Sequence, residues 1–208
     1  MNLENVRTIL RSHEPGAVGK YRYFSVLVPF VEKEGKLYLL YEMRARHMVS
    51  QPGEICFPGG HMEEHEDPET CALRETEEEI GIPRGRIELI GRGNTLYGNA
   101  NFSLFTFIGA VSYEDYKNIH LQEEEVDHVF LVDADRLLHM NPELYIEKMK
   151  PVIPDDFPYD RIGIGKDYRW FTNQTDVPIY DIDGTVIWGI TARITKDLME
   201  MLRKKGNL

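Results

Sequence analysis

The stretch Gly59–Ile82, GGHMEEHEDPETCALRETEEEIGI, constrains this chain more than any other. Its second half predicts a short helix with both ends marked. Asp67 can cap the free backbone N–H groups, and Pro68 suits the first helical position. Gly81 supplies the left-handed residue that closes the helix, and Pro83 stops its continuation. At about 100° per residue, Ala72, Leu73, Thr76 and Ile80 share the side expected to face a core. Glu75, Glu78 and Glu79 fall on the adjoining side. Like charges at such spacings cost an isolated helix a few tenths of a kcal/mol per pair. A helix needing only solubility would interleave lysines, so this one is expected to gather a cation.

A hard divalent cation suits the set. Mg²⁺ takes oxygen ligands in octahedral geometry, keeps several waters, and is held by one or two carboxylates together with substrate phosphates. The spacing adds weight against a merely solvated acidic face: Gly60, then Glu66, then Arg74-Glu75-Thr76, Glu78-Glu79 and Gly81-Ile82. This order resembles the Nudix box, with Thr76 at a site usually more apolar. The resemblance implies an α/β/α Nudix sandwich, a mixed sheet between helices, and a hydrolase for a nucleoside diphosphate linked to another group. It implies Mg²⁺ or Mn²⁺ as cofactor. Glu75 and Glu79 would hold the metal, Glu78 would add a ligand or accept the proton from water, and Glu66 belongs to the same metal set. Arg74 would orient the acids. A backbone carbonyl of the turn Phe57–Gly60, Gly60 included, could complete the shell. Glu125, at the start of a strand after the box, matches the general Nudix pattern of a further carboxylate reaching the cluster.

The residues ahead of the box bear on substrate. Arg44, Gly53 and Phe57-Pro58-Gly59-Gly60 resemble the signature of the coenzyme A pyrophosphatase branch of the family. Val49 departs from it, standing where a second arginine is expected; Arg46 or His47 could substitute. Arg44 and Arg46 sit where a strand hands over to a loop, in reach of phosphates, and guanidinium forks match phosphate oxygens. The expected substrate is therefore coenzyme A or acyl-coenzyme A, cleaved to 3′,5′-ADP and 4′-phosphopantetheine. ADP-ribose, NADH or a diadenosine polyphosphate is the alternative, and a non-catalytic nucleotide-binding regulator is a third reading. Near the C-terminus, Trp188-Gly189-Ile190-Thr191-Ala192 resembles an element of the same branch.

Composition agrees with these expectations. A chain of 208 residues, 42% hydrophobic, favours one domain over residues 1–208 with a substantial core. The net charge of -11 argues against nucleic-acid and anionic-membrane partners; the partner the Nudix resemblance implies is a nucleotide-containing small molecule. Cys56 and Cys71 form no disulfide framework or zinc set, and His61 and His65 read as exposed loop residues. No apolar run reaches a membrane span and no signal-peptide core appears, so a cytoplasmic location is expected.

Elsewhere, helices are expected over Asn5–His13, Asp133–His139 and Thr191–Lys205, and strands over Tyr21–Val31, Lys36–Met43, Arg86–Arg92 and Phe102–Val111. Pro29 suggests an edge or bulge in the first strand. Asn94–Asn101 reads as a loop. The proline-rich Asn141–Tyr180 reads as an irregular excursion that covers the active site or joins a homodimer.

Overall fold

A computed structural model describes residues 1–99 and 101–206, the side chains of 205 and 206 excepted. The frame begins with two strands that pair and then part. Strands β1 (Arg22–Lys33) and β2 (Lys36–Arg44) follow an exposed helix α1 (Leu3–Arg11) and meet at Glu34-Gly35, both at positive φ (53° and 74°). That is the primed turn matching the twist of antiparallel strands. They stay paired only from Lys33/Lys36 to Phe30/Leu39. Beyond this, β3 (Ile55–Cys56) pairs with β2 and β4 (Gly59–His61) pairs with β1, so the segment carrying Phe57–Gly60 fills the fork.

The box helix α2 (Pro68–Ile80) follows. Then come β5 (Glu88–Arg92), β6 (Leu96–Gly98), β7 (Phe102–Ser112), α3 (Tyr113–Lys117), β8 (Val126–Asp133) and α4 (Ala134–His139). Among the described residues, β1–β8 form one mixed sheet: β7 lies parallel to β1 on the side away from the fork, and β8 lies antiparallel to β2. The last part is β9 (Glu143–Met149), α5 (Tyr159–Ile162), β10 (Asn173–Ile182), β11 (Thr185–Trp188) and α6 (Gly189–Gly206). Strands β9, β10 and β11 form a separate antiparallel sheet.

Alternation along the central strands divides the core in two. Leu27, Val31 and Leu40 pack with Ala72, Ile80 and Ile82 on the α2 side, whereas Val26, Val28, Leu39 and Tyr41 pack with Ala192, Leu198 and Met199 of α6. Because β1 is covered on both faces, it reads as a nearly continuous apolar run. The expected sandwich is present. Helix α6 also pins the fork: Thr191 Oγ1 donates to the Ile55 carbonyl at 2.9 Å, and the Tyr41 hydroxyl meets Thr195 Oγ1 at 2.9 Å.

Three expectations need correction. Pro29 lies in a central strand, between the residues that pair with β4 and those that pair with β2, where a missing N–H leaves the ladder on that side intact. The Asn94–Asn101 loop contains the short strand β6 on β7, Tyr97 opposite Ser103. Asn141–Tyr180 is not wholly irregular: β9 and most of β10 lie within it and pair from Glu143/Ile179 to Met149/Asn173. None of its residues lines the acidic cleft described next.

Candidate active site

The box helix forms as its punctuation predicts. Asp67 accepts from the Glu69 and Thr70 N–H groups, and Gly81 closes the helix at φ 70°. The loop ahead of β8 then satisfies the helix end, with Gln122 N–H donating to the Glu79 carbonyl at 2.9 Å and His120 N–H to that of Ile80 at 3.2 Å. The same loop carries Glu125, whose carbonyl accepts from Ala45 N–H at 2.8 Å, to the end of β2. Helix, fork and loop thus converge on a cleft of about 340 Å³ lined by Glu75, Glu79, Glu125, Gly59, Gly60 and Arg44, among others.

Glu79 is the innermost of these, 2% exposed, and its Oε2 accepts from Gly59 N–H at 2.7 Å. Beside it is a residue that the sequence reading missed, Glu42 of β2, 1% exposed. Glu42 Oε1 accepts from Cys56 Sγ at 3.1 Å, while Oε2 is buried without a partner. Burial, helped by the Glu125 and Glu75 charges, pushes Glu42 up to about 7, although the Cys56 contact and Arg44 oppose this. Burial and the Glu42 charge likewise hold Glu79 well above the usual carboxylate range. Burial also raises Glu75, against the pull of Arg74. The available signal for Glu42 was a lone acid inside an apolar strand, LYLLYEM, at even spacing from core-facing Leu40.

Arg74 forms a hub. Its Nε donates to Glu66 Oε1 at 2.8 Å, one terminal nitrogen to Glu66 Oε2 at 3.0 Å, and the other reaches Glu75 and Glu78 at 2.8 and 2.9 Å. This fork holds Glu66 down at about 2. Both Glu66 oxygens therefore face a guanidinium, and Glu78, with a side chain 52% exposed, stands on the outer rim. Neither lines the cleft. Arg44 does line it, while Arg46 is exposed on the loop beyond. Val49 is fully exposed and His65 is exposed as expected, whereas His61 is not a loop residue: it ends β4, stands edge-on to the Phe24 ring and lines the cleft.

The inner set fits a divalent cation. An orphaned buried carboxylate oxygen on Glu42 and mutually repelling acids at Glu79 and Glu75 form a site short of positive charge. Among the described residues, no three acid, histidine or cysteine side chains enclose an ion unaided. Water and substrate phosphate oxygens would complete the shell, as is usual for Mg²⁺. Glycine is required at the entrance. A Cβ on Gly59 would lie 2.3 Å from the Ser25 carbonyl, and one on Gly60 would lie 2.4 Å from the Glu75 carboxylate. The first obstacle is backbone and the second is a movable side-chain end. We expect Gly59→Ala to fail to fold stably. Gly60→Ala should fold, with Glu75 displaced and activity lowered about 10- to 100-fold. Thermal unfolding and kinetics on the two variants check the contrast.

A NUDIX domain model matches residues 22–156, which contain the fork, the box helix and Glu125. The chain belongs to the Nudix family. Within that family it is 38% identical over 128 residues to mouse peroxisomal coenzyme A diphosphatase NUDT7, covering 60% of this chain but only 52% of that protein. It is 30% identical over 182 residues to the Nudix hydrolase NudL of Enterobacter sp. (strain 638), covering 85% of this chain and 81% of that one. The crystal structure of a MutT/nudix family protein from Enterococcus faecalis superposes at TM-score 0.51 and 12% identity, over 100% of this chain and 70% of that one, a likeness of Nudix fold. Among the described residues, no helix is long and apolar enough to cross a membrane.

Proposed function

We propose that this Nudix protein is a metal-dependent pyrophosphohydrolase acting on coenzyme A or acyl-coenzyme A, releasing 3′,5′-ADP and (acyl-)4′-phosphopantetheine. The observation that carries the chemistry is the acid set of buried Glu42 and Glu79 with half-buried Glu75, completed by Glu125 at the cleft wall. The diphosphatase named among its relatives and the Arg44–Gly60 segment support the substrate. The one domain, with residues 1–208 working together, belongs to the same proposal, because α6 both covers the core and pins the fork.

Each residue then has a stated task. Glu75 and Glu79 would hold Mg²⁺ or Mn²⁺, with the Gly60 backbone at the entrance and Glu42 supplying negative charge behind them. A bound divalent ion supplies Lewis acidity and lowers the pKa of coordinated water. Glu125, or Glu78 from the rim, would accept the proton of the attacking water. Arg74 positions the acids, tied to Glu66 as its anchor. Arg44 would donate to substrate phosphate oxygens, and Arg46 lies beyond the cleft.

A charge-assisted hydrogen bond contributes about 1.5–3 kcal/mol. Arg44→Ala should therefore raise KM about 10- to 100-fold, with Arg46→Ala nearly unchanged. A metal-dependent assay over coenzyme A, ADP-ribose, NADH and diadenosine polyphosphates, with products identified by mass, tests the substrate. Coenzyme A should be turned over with the highest kcat/KM and give 3′,5′-ADP. Preferred cleavage of ADP-ribose would favour the alternative, consistent with Val49 in place of an arginine, and turnover of none of them would leave a binding protein.

A further inference from the structure

A second and larger cleft, of about 440 Å³, lies along α6 from the acidic one. Ile194 lines both. Its walls are the loop after β5 with the start of β6, β7, β10 and the middle turns of α6, and its apolar floor includes Leu96, Ile108 and Leu198. Thr106 of β7 lines it at 3% exposure, and its Oγ1 is buried without a hydrogen-bond partner. Leaving such a hydroxyl unpaired is unfavourable, whereas valine would fill the same space without that cost. The Nudix chemistry proposed above makes no use of this threonine.

The charges of the second cleft narrow its occupant. Lys196 is paired with Glu200 at 2.7 Å, and Asn94 donates to Asp197 at 2.9 Å. Arg193 is half-buried and makes no ion pair among the described residues, with the exposed Asp176 across the cleft offsetting its charge. No net positive field awaits a phosphate here. An unsatisfied hydroxyl and a guanidinium without an ion pair, over an apolar floor, suit instead an uncharged chain that alternates amides with methylenes. From Thr191 in the acidic cleft to Met201 in this one, α6 advances about 15 Å, a span suited to such a chain.

We propose that this cleft receives the pantetheine arm of the substrate, with Thr106 Oγ1 and Arg193 bonding its amides. The proposal rests on the coenzyme A reading above. Two substitutions separate it from a structural role. Thr106→Val removes no hydrogen bond of the protein and should leave thermal stability unchanged or raised, while Met201→Trp fills the far end.

With Mg²⁺ present, Thr106→Val should raise KM for coenzyme A about 3- to 10-fold and Met201→Trp by more, each leaving kcat and the inhibition constant of the armless product 3′,5′-ADP within about twofold. Separately, 4′-phosphopantetheine added to the wild-type protein should shift the NMR signals of Thr106, Ile108 and Met201. Unchanged KM in both variants, equal weakening of 3′,5′-ADP, or shifts confined to the acidic cleft would overturn the assignment. If coenzyme A is not cleaved but 4′-phosphopantetheine still shifts these three residues, the activity reading falls and the cleft assignment stands.

Discussion

Replacing Glu79 by glutamine should abolish most activity and yet make the metal-free protein more stable. Glutamine keeps the shape and can still accept from the Gly59 N–H, which Glu79 Oε2 now receives at 2.7 Å. It removes one member of a buried pair of acids. Glu42 and Glu79 both have folded-state pKa values raised from the model-compound 4.5, Glu42 to about 7. A carboxyl that holds its proton more tightly when folded lends stability that is present at low pH and lost as pH rises from about 4.5 through the folded value. Metal-free wild type should therefore lose stability between pH 5 and 8, on the order of 2 kcal/mol, and Glu79→Gln should flatten that slope. At pH 8 the variant should unfold about 4 °C higher than wild type. Turnover should fall on the order of 10³-fold, as when a preorganised electrostatic group is removed. Calorimetry without metal and kinetics with it check both halves. A variant that is inactive and also destabilised would mean that Glu79 serves the fold rather than a cation.

The second large effect concerns Arg74. Its side chain is 16% exposed and Glu66, which it grips through both oxygens, is 7% exposed. Arg74→Met keeps the apolar stem and leaves Glu66 shielded without a counter-charge. Breaking such a pair costs about 3–5 kcal/mol. The pH dependence runs opposite to that of the inner acids. Glu66 is held down to about 2, so its contribution is present above the ordinary 4.5 and lost as pH falls toward 2. The gap between wild type and Arg74→Met should thus be widest near neutral pH and should shrink by pH 3. Arg74→Lys should recover only part of it, since an ammonium cannot reproduce the fork. Urea unfolding at pH 7 and pH 3 measures the difference.

Much of the Nudix frame could be read from local signals. Asp67, Pro68, Gly81 and Pro83 mark α2 because caps depend on neighbouring residues alone, and the β-branched and aromatic runs Tyr21–Val31 and Lys36–Met43 mark β1 and β2. Glu42 escaped because its burial depends on where β1 and β2 part and β3 enters, a long-range event. The β9–β10 pairing escaped for the same reason: Met149 meets Asn173 across a proline-rich connection that carries no strand periodicity. Arg44 and Arg46 look alike in sequence, but the backbone bonds of Arg44 to Glu54 and Gly53, at 2.9 and 3.1 Å, and its Nε bond to the Ser50 carbonyl at 3.4 Å hold that one at the cleft.

The most direct test of a cation-gathering acid cluster is metal binding itself. Mn²⁺ should be titrated into wild-type and Glu79→Gln proteins at pH 8 without nucleotide, with the free ion followed by electron paramagnetic resonance. Wild type should remove Mn²⁺ from solution saturably and gain thermal stability as it does so, while Glu79→Gln should bind at least about tenfold more weakly. Equal binding by the two proteins would contradict the account.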